Sequence, residues 1–171
     1  MEDTGYKLDS LPESGQTLIE EIIDRVTNDR RWTSSEELAR RAVDSIPAEK
    51  YVEWFQELPL EVQDKMKKAW GEPPGQIFNC KGRLLIPGII NGNVFIGLQP
   101  PRGFLDDPAA IYHSPDHPIP HHYYAYYRWI RDVFGANAVM HIGKHGSLEW
   151  LPGKSAGLSE SCFPDIAISD L

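Results

Sequence analysis

Two kinds of sequence meet near residue 72, helical in period before it and strand-like directly after it, and that change restricts the fold to a mixture of helices and strands. Before it, Leu18, Ile19, Ile22, Ile23 and Val26 of QTLIEEIIDRVTNDR recur at the spacing of one helix face. Ser34, with Glu37 three residues on, forms a capping box and predicts a second helix from about Ser35 to Ser45, stopped ahead of Pro47. Two more helices are predicted, about Ala48–Leu58 and Leu60–Trp70, the last closed by Gly71. GEPPG (71–75) is then a turn or short linker.

Beyond it, GRLLIPGIINGNVFIGLQ reads as two apolar strands joined at Asn91-Gly92, a dipeptide that accepts positive φ and suits tight hairpins. Pro87 has no N–H to give to a ladder, which predicts an edge position or a bulge. The segment QPPRGFLDDPAAIYHSPDHPIPHH shows little regular pattern, and loops this long are often functional. A helix is predicted over HHYYAYYRWIRDVFG, ending at Gly135, and NAVMHIG reads as a short buried strand. The expected fold class is α/β: a helical segment over 1–71, then an α/β segment over 76–171 with strands, a long loop and a strand–loop–helix motif. A core strand and helix so near Leu171 predict a fragment of a larger multidomain protein, with the second segment continuing past that residue.

Charge and cysteine content remove several classes of function. A net charge of −8, with no basic stripe, argues against a nucleic-acid partner. Two cysteines, Cys80 and Cys162, make neither a disulfide framework nor a CxxC metal site, and predict reduced thiols in a cytoplasmic protein. MEDTGYKLDS lacks the basic and apolar regions of a signal peptide, and the apolar runs LLIPGII and VFIGL are far too short to span a bilayer. No membrane partner is expected.

The chemistry concentrates in HIGKHGSLEWLPGK (141–154). Its PGKS continuation is not a phosphate loop, because Leu148 stands where GxxxxGK[ST] requires the first glycine. His141 and His145 have the i, i+4 spacing of paired helical zinc ligands, but on an extended strand they would lie roughly 13 Å apart. A transient metal site, with the loop curling both imidazoles inward, stays open. Glu149 is the one acid between Asp132 and Glu160; flanked by Leu148, Trp150 and Leu151 it is either a desolvated general base or a helix-start acid. His113, His117, His121 and His122 are either solvated loop and helix-start residues or a metal collection route, and Tyr123, Tyr124, Tyr126, Tyr127 and Trp129 read as core packing with polar handles.

HIGKHGSLEWLPGK, together with QPPRG (99–103) and PHHYYAYYRWI (120–130), resembles the large tetrapyrrole-binding subunits of cobaltochelatase, whose superfamily includes the H subunit of magnesium chelatase. The resemblance runs from GYKLDSLPESG to SCFPDIAISDL, matching a central piece of a much longer protein. Magnesium-chelatase H subunits typically read HFGTHGSLEFMPGK; Lys144, Trp150 and Leu151 are here the residues of the cobalt branch. The resemblance implies insertion of Co2+ into a corrin-type ring, hydrogenobyrinic acid diamide, driven by ATP hydrolysed on partner subunits. It implies Glu149 as base, and His141 and His145 as catalytic, metal-delivering or proton-relaying groups. Lys144, Lys154, Arg102, Gly146 and Gly153 would bind the ring, and His121 and His122 are further candidate metal ligands. The 171 residues alone are expected to be inactive.

Overall fold

The computed structural model describes residues 5–26, 34–103, 116–143, 146, 148–154 and 156–171, with the Glu149 side chain outside the description. The element order is α1 (Gly15–Arg25), α2 (Ser35–Arg41), β1 (Asp44–Pro47), α3 (Ala48–Gln56), α4 (Leu60–Trp70), β2 (Asn79–Cys80), β3 (Arg83–Ile86), β4 (Ile89–Asn91), β5 (Val94–Ile96), α5 (His121–Trp129), a π-helical continuation (Ile130–Phe134), a 3-10 turn (Leu148–Trp150) and α6 (Phe163–Ile168). Helices with two small sheets make this an α/β fold. One sheet has the order β1-β3-β2; the other is the β4–β5 hairpin.

By packing, the described residues group into two units, one from the stretches 1–45 and 85–98, the other from 46–84 and 99–171. In the first, Ser14 caps α1 by accepting from Thr17 N–H (3.1 Å), and Ser34 caps α2 through Glu37 N–H (3.1 Å), as the capping box predicts. The hairpin turns at Asn91-Gly92, with Ile89 opposite Ile96 and Asn91 opposite Val94. Gly92 has φ 62, and a Cβ there would lie 2.1 Å from the Lys7 carbonyl oxygen, so only glycine lets residues 7–10 lie against the turn. Asn91 fastens them: its Oδ1 accepts from Asp9 and Ser10 N–H (2.7 and 3.2 Å), and its Nδ2 donates to the Ser10 carbonyl (2.6 Å).

In the second unit, α3 and α4 bury Tyr51, Trp54, Phe55, Val62 and Met66, while Gly71 (φ 80) ends α4. Helix α5 is buried on every side except at Arg128, the pattern of a central core helix and not of a surface one. The tyrosine run is therefore packing with polar handles: Tyr124 OH donates to the Trp54 carbonyl (3.2 Å), and Arg128 reaches Tyr124 OH (3.0 Å), Glu57 (2.6 Å) and Asp132. After Trp129 the helix widens to π pitch, and Gly135 closes it in the left-handed region (φ 74), with Ala136 N–H on the Ile130 carbonyl (3.0 Å).

Four sequence expectations need correction. Helix α2 stops at Arg41, because Val43 N–H goes to the Ile86 carbonyl (2.9 Å) and Asp44–Pro47 enters the sheet as β1. The strand containing Pro87 is two strands, β3 and β4, in different sheets; Pro87 cannot donate, and Gly88 beside it abuts Phe95. Residues 138–142 are neither strand nor helix: Met140 is 78% and Ile142 88% exposed, so these apolar side chains do not form the buried row a strand would supply. The helix expected near Ser147 is a single 3-10 turn, and Ser147 itself lies outside the described residues.

Candidate functional site

The site begins with α5. Its buried faces fix Tyr127, which is 1% exposed, and aim its hydroxyl at the chain returning through 136–143. There His141 Nε2 lies 3.0 Å from Tyr127 Oη, with the two rings edge to face. Gln99 Nε2 donates to the same phenol oxygen (2.8 Å), and Tyr123 hydrogen-bonds it as well. Burial pushes the Tyr127 phenol above its ordinary 10.0, with the Gln99 and Tyr123 hydrogen bonds pulling the other way, so it keeps its proton at neutral pH. Gly146 completes the group: a methyl there would lie 3.6 Å from His141 Nδ1 and 4.0 Å from Gln99 Oε1. His141, unlike its anchor, is exposed, flanked by the exposed Met140 and Ile142.

The rest of the motif divides into a part that faces solvent and a part that packs. Trp150 is half exposed while Leu151 is buried, its N–H on the Leu148 carbonyl (3.1 Å). The PGK turn then lies on Cys162. A Cβ on Gly153 would fall 2.9 Å from Cys162 Cβ and 3.2 Å from its Sγ, so this glycine is required by internal packing. Phe163 N–H donates to the Pro152 carbonyl (2.9 Å), and Cys162 Sγ accepts from Lys154 N–H, Ser159 N–H and Ser159 Oγ, each at 3.4 Å. Those hydrogen bonds, the Ser159 hydroxyl first, hold the Cys162 thiol below its ordinary 9.0. Lys154 is exposed.

Of the residues singled out in the sequence, His141, Gly146, Gly153 and Lys154 lie within or beside this turn-and-loop region. Lys144 and His145 lie outside the described residues, and of Glu149 only the backbone, in the 3-10 turn, is described. Arg102 is 1% exposed and so is a buried side chain in this structure, not one presented to a ligand.

His121 and His122 belong to the core. His121 Nε2 faces the Gly71 carbonyl (2.9 Å), which can only accept, so Nε2 carries the proton; Nδ1 then accepts from Tyr51 OH (2.8 Å). Both ring nitrogens are used, leaving no lone pair for an ion. Burial holds this imidazole below its ordinary 6.5, so it stays neutral. His122 is 1% exposed and packs on Phe78 at 4.3 Å between ring centroids. No group of three or more His, Cys, Asp or Glu side chains placed to hold a metal is found among the described residues. Sequence reasoning missed Gln99 and Tyr127 as site residues; Gln99 opens QPPRG, but nothing in its spacing links it to residues 28 or 42 positions away.

Comparison with known proteins places the chain. The family model described as CobN/Magnesium Chelatase matches residues 1–171. The chain belongs to that family. It is 41% identical to the aerobic cobaltochelatase subunit CobN of Pseudomonas aeruginosa, over 98% of this chain and 13% of the relative, and 35% identical to the chloroplastic magnesium-chelatase subunit ChlH of rice, over 98% and 11%. The solved catalytic subunit of cobaltochelatase from Mycobacterium tuberculosis superposes with a TM-score of 0.79 at 39% identity, over 99% of this chain and 14% of that one. The chain thus spans about one seventh of the length of the curated relatives it matches. No helix among the described residues is long and apolar enough to cross a membrane.

Proposed function

We propose that this chain is part of the tetrapyrrole-binding subunit of an ATP-dependent cobaltochelatase that inserts Co2+ into a corrin-type ring, hydrogenobyrinic acid a,c-diamide, with ATP hydrolysed on partner subunits. The observation that carries the choice of metal branch is the motif itself: Lys144, Trp150 and Leu151 stand where magnesium-chelatase H subunits typically have Thr, Phe and Met. The higher identity to the cobaltochelatase subunit than to the magnesium-chelatase subunit, 41% against 35%, supports the same choice.

Metallation of a tetrapyrrole needs a group to take protons from the ring nitrogens, a route for the ion out of its water shell, and a surface for the ring. Glu149, between Leu148 and Trp150, is the proposed base. His141 and His145 relay protons or hand over the ion, since imidazole suits cobalt. Lys144 and the exposed Lys154 pair with ring carboxylates, and half-exposed Trp150 with exposed Met140 and Ile142 offers apolar surface to a flat macrocycle. Gly153 supports this surface from within, through its packing on Cys162.

The test uses the full-length subunit with its ATPase partners. Glu149→Gln keeps size and hydrogen bonding but removes basicity, so ring binding persists while Co2+ insertion falls by about two orders of magnitude or more. An unchanged rate would return Glu149 to a helix-start acid. Mg2+ insertion into protoporphyrin would overturn the metal assignment, and ring binding with no ATP-dependent metallation would leave a non-catalytic binding module.

A further inference from the structure

The Tyr127 phenol decides what His141 can offer a ligand. A tyrosine hydroxyl has one proton and two lone pairs. At Tyr127 both lone pairs are filled: Gln99 Nε2 donates into one (2.8 Å), and the Tyr123 hydroxyl, one helical turn earlier, donates into the other. Both bonds pull the phenol pKa down against burial, which is the mark of donors to its oxygen. The proton of Tyr127 is left for His141 Nε2, 3.0 Å away. A ring nitrogen that accepts carries no proton, so neutral His141 bears its proton on Nδ1. That opposes the preference of a free histidine side chain in water, which favours Nε2. His121 is the internal contrast, because the Gly71 carbonyl requires a proton on its Nε2. The outcome fixes what His141 shows to solvent. Its ring is exposed, Nε2 is taken up by the phenol, and Nδ1 has no hydrogen-bond partner among the described residues.

We propose that Tyr127 and Gln99 are positioning residues that keep the His141 proton on Nδ1, and that His141 binds the ring as a hydrogen-bond donor to a carboxylate or amide oxygen on its rim. The proposed substrate, an acid diamide, carries both kinds of acceptor. This rests on the reading of the loop as the metallation site, and it narrows that reading. With Nε2 filled and Nδ1 protonated, His141 has no lone pair for Co2+ or for a proton from the ring. Those tasks fall to Glu149 and His145. The second nitrogen of an imidazole sets what the first can do, and here it makes the first a donor.

The experiment uses the full-length subunit and compares His141→Ala, His141→Asn and His141→Gln for affinity toward hydrogenobyrinic acid a,c-diamide. The Asn amide nitrogen falls where Nδ1 lies and can still donate to the ring; the Gln amide reaches the position of Nε2 and keeps only the contact with Tyr127. His141→Ala and His141→Gln are expected to weaken ring binding roughly 10-fold, the worth of one hydrogen bond, and His141→Asn to recover most of that loss. Tyr127→Phe is expected to weaken ring binding a few-fold. With the ATPase partners present and the ring saturating, none of these variants is expected to move the Co2+ concentration that gives half-maximal insertion. Ring-nitrogen NMR of the histidine-labelled subunit at mildly alkaline pH reads the tautomer directly: His141, assigned by its loss in His141→Asn, is expected as Nδ1–H, opposite to His121, and shifts toward Nε2–H in Tyr127→Phe. Because His141 is exposed, its variants leave the core intact and decide the matter even if Tyr127→Phe does not fold. A wild-type Nε2–H tautomer, or recovery by Gln and not by Asn, would overturn the proposal. Intact ring binding with a raised Co2+ requirement in His141→Ala would also overturn it, by making His141 a metal ligand, and would leave the loop as the metallation site. Ring binding and insertion both untouched by His141→Ala would overturn the donor role and the reading of the loop beneath it together.

Discussion

Replacing His121 by Gln tests whether this histidine is a core residue and not a metal ligand. Gln places an amide N–H near the position of Nε2, so donation to the Gly71 carbonyl is retained. The bond from Tyr51 OH to Nδ1 is lost, leaving a buried hydroxyl without a partner at a cost of about 1–3 kcal/mol. The pH dependence makes the result specific. Burial lowers the folded-state pKa of His121 from its ordinary 6.5, so below 6.5 the unfolded chain binds a proton that the folded chain resists. Stability is therefore fully present above 6.5 and is lost as pH falls through the window beneath it, by at most about 1.4 kcal/mol per pH unit for one histidine. His117, also lowered by burial, adds a slope that both proteins share. In urea unfolding followed by tryptophan fluorescence, the variant is expected to be less stable at pH about 7.5, and the gap to narrow as the pH falls to about 5.5, by at most about 1.4 kcal/mol. Equal acid losses in the two proteins would refute the argument that His121 is buried neutral. A stability rising with added Co2+ in wild type alone would restore it as a ligand.

Two further outcomes concern the PGK turn. Gly153→Ala forces a methyl to within 2.9 Å of Cys162 Cβ and is expected to lower stability by about 1–3 kcal/mol, whereas Lys154→Ala, at an exposed position, leaves unfolding unchanged; equal midpoints for the two variants would contradict the packing described. With a thiol reagent under native conditions, half-buried Cys80 is expected to label well before Cys162, which is 3% exposed despite its lowered pKa, and denaturant should equalise the two; early labelling of Cys162 would mean the turn does not cover it.

The sequence made local devices legible and non-local ones not. Helices α3 and α4 carry their own amphipathic faces, and their predicted ends fall within two residues of the observed ones. Asn91-Gly92 fixed the hairpin because its turn chemistry is contained in two residues. Strand β1 went unread because the partner that ends α2, Ile86, lies 43 residues beyond Val43. His121 looked like a solvated first-turn residue for the same reason, its partners being 70 and 50 positions away. NAVMHIG misled in the opposite direction: its apolar spacing matches a buried strand, but periodicity does not say what covers a face, and Met140 and Ile142 face outward. The motif exposed the candidate histidine, and only the fold disclosed that a tyrosine 14 residues earlier anchors it.

The π-helical stretch between them has an evolutionary corollary. A π turn closes its hydrogen bond over one residue more than an α turn does, so Ile130–Phe134 absorb a residue without swinging the exit at Gly135. Holding the same residues at α pitch would rotate that exit by about 100°, the advance of one residue on an α-helix, and carry His141 away from Tyr127. Losing one residue within 130–134 would let the helix relax to α pitch with its direction unchanged, whereas losing one from 136–140 would shorten the span that has to reach the phenol. Length variation among related chains is therefore expected to be tolerated inside the widened turn and selected against just after it.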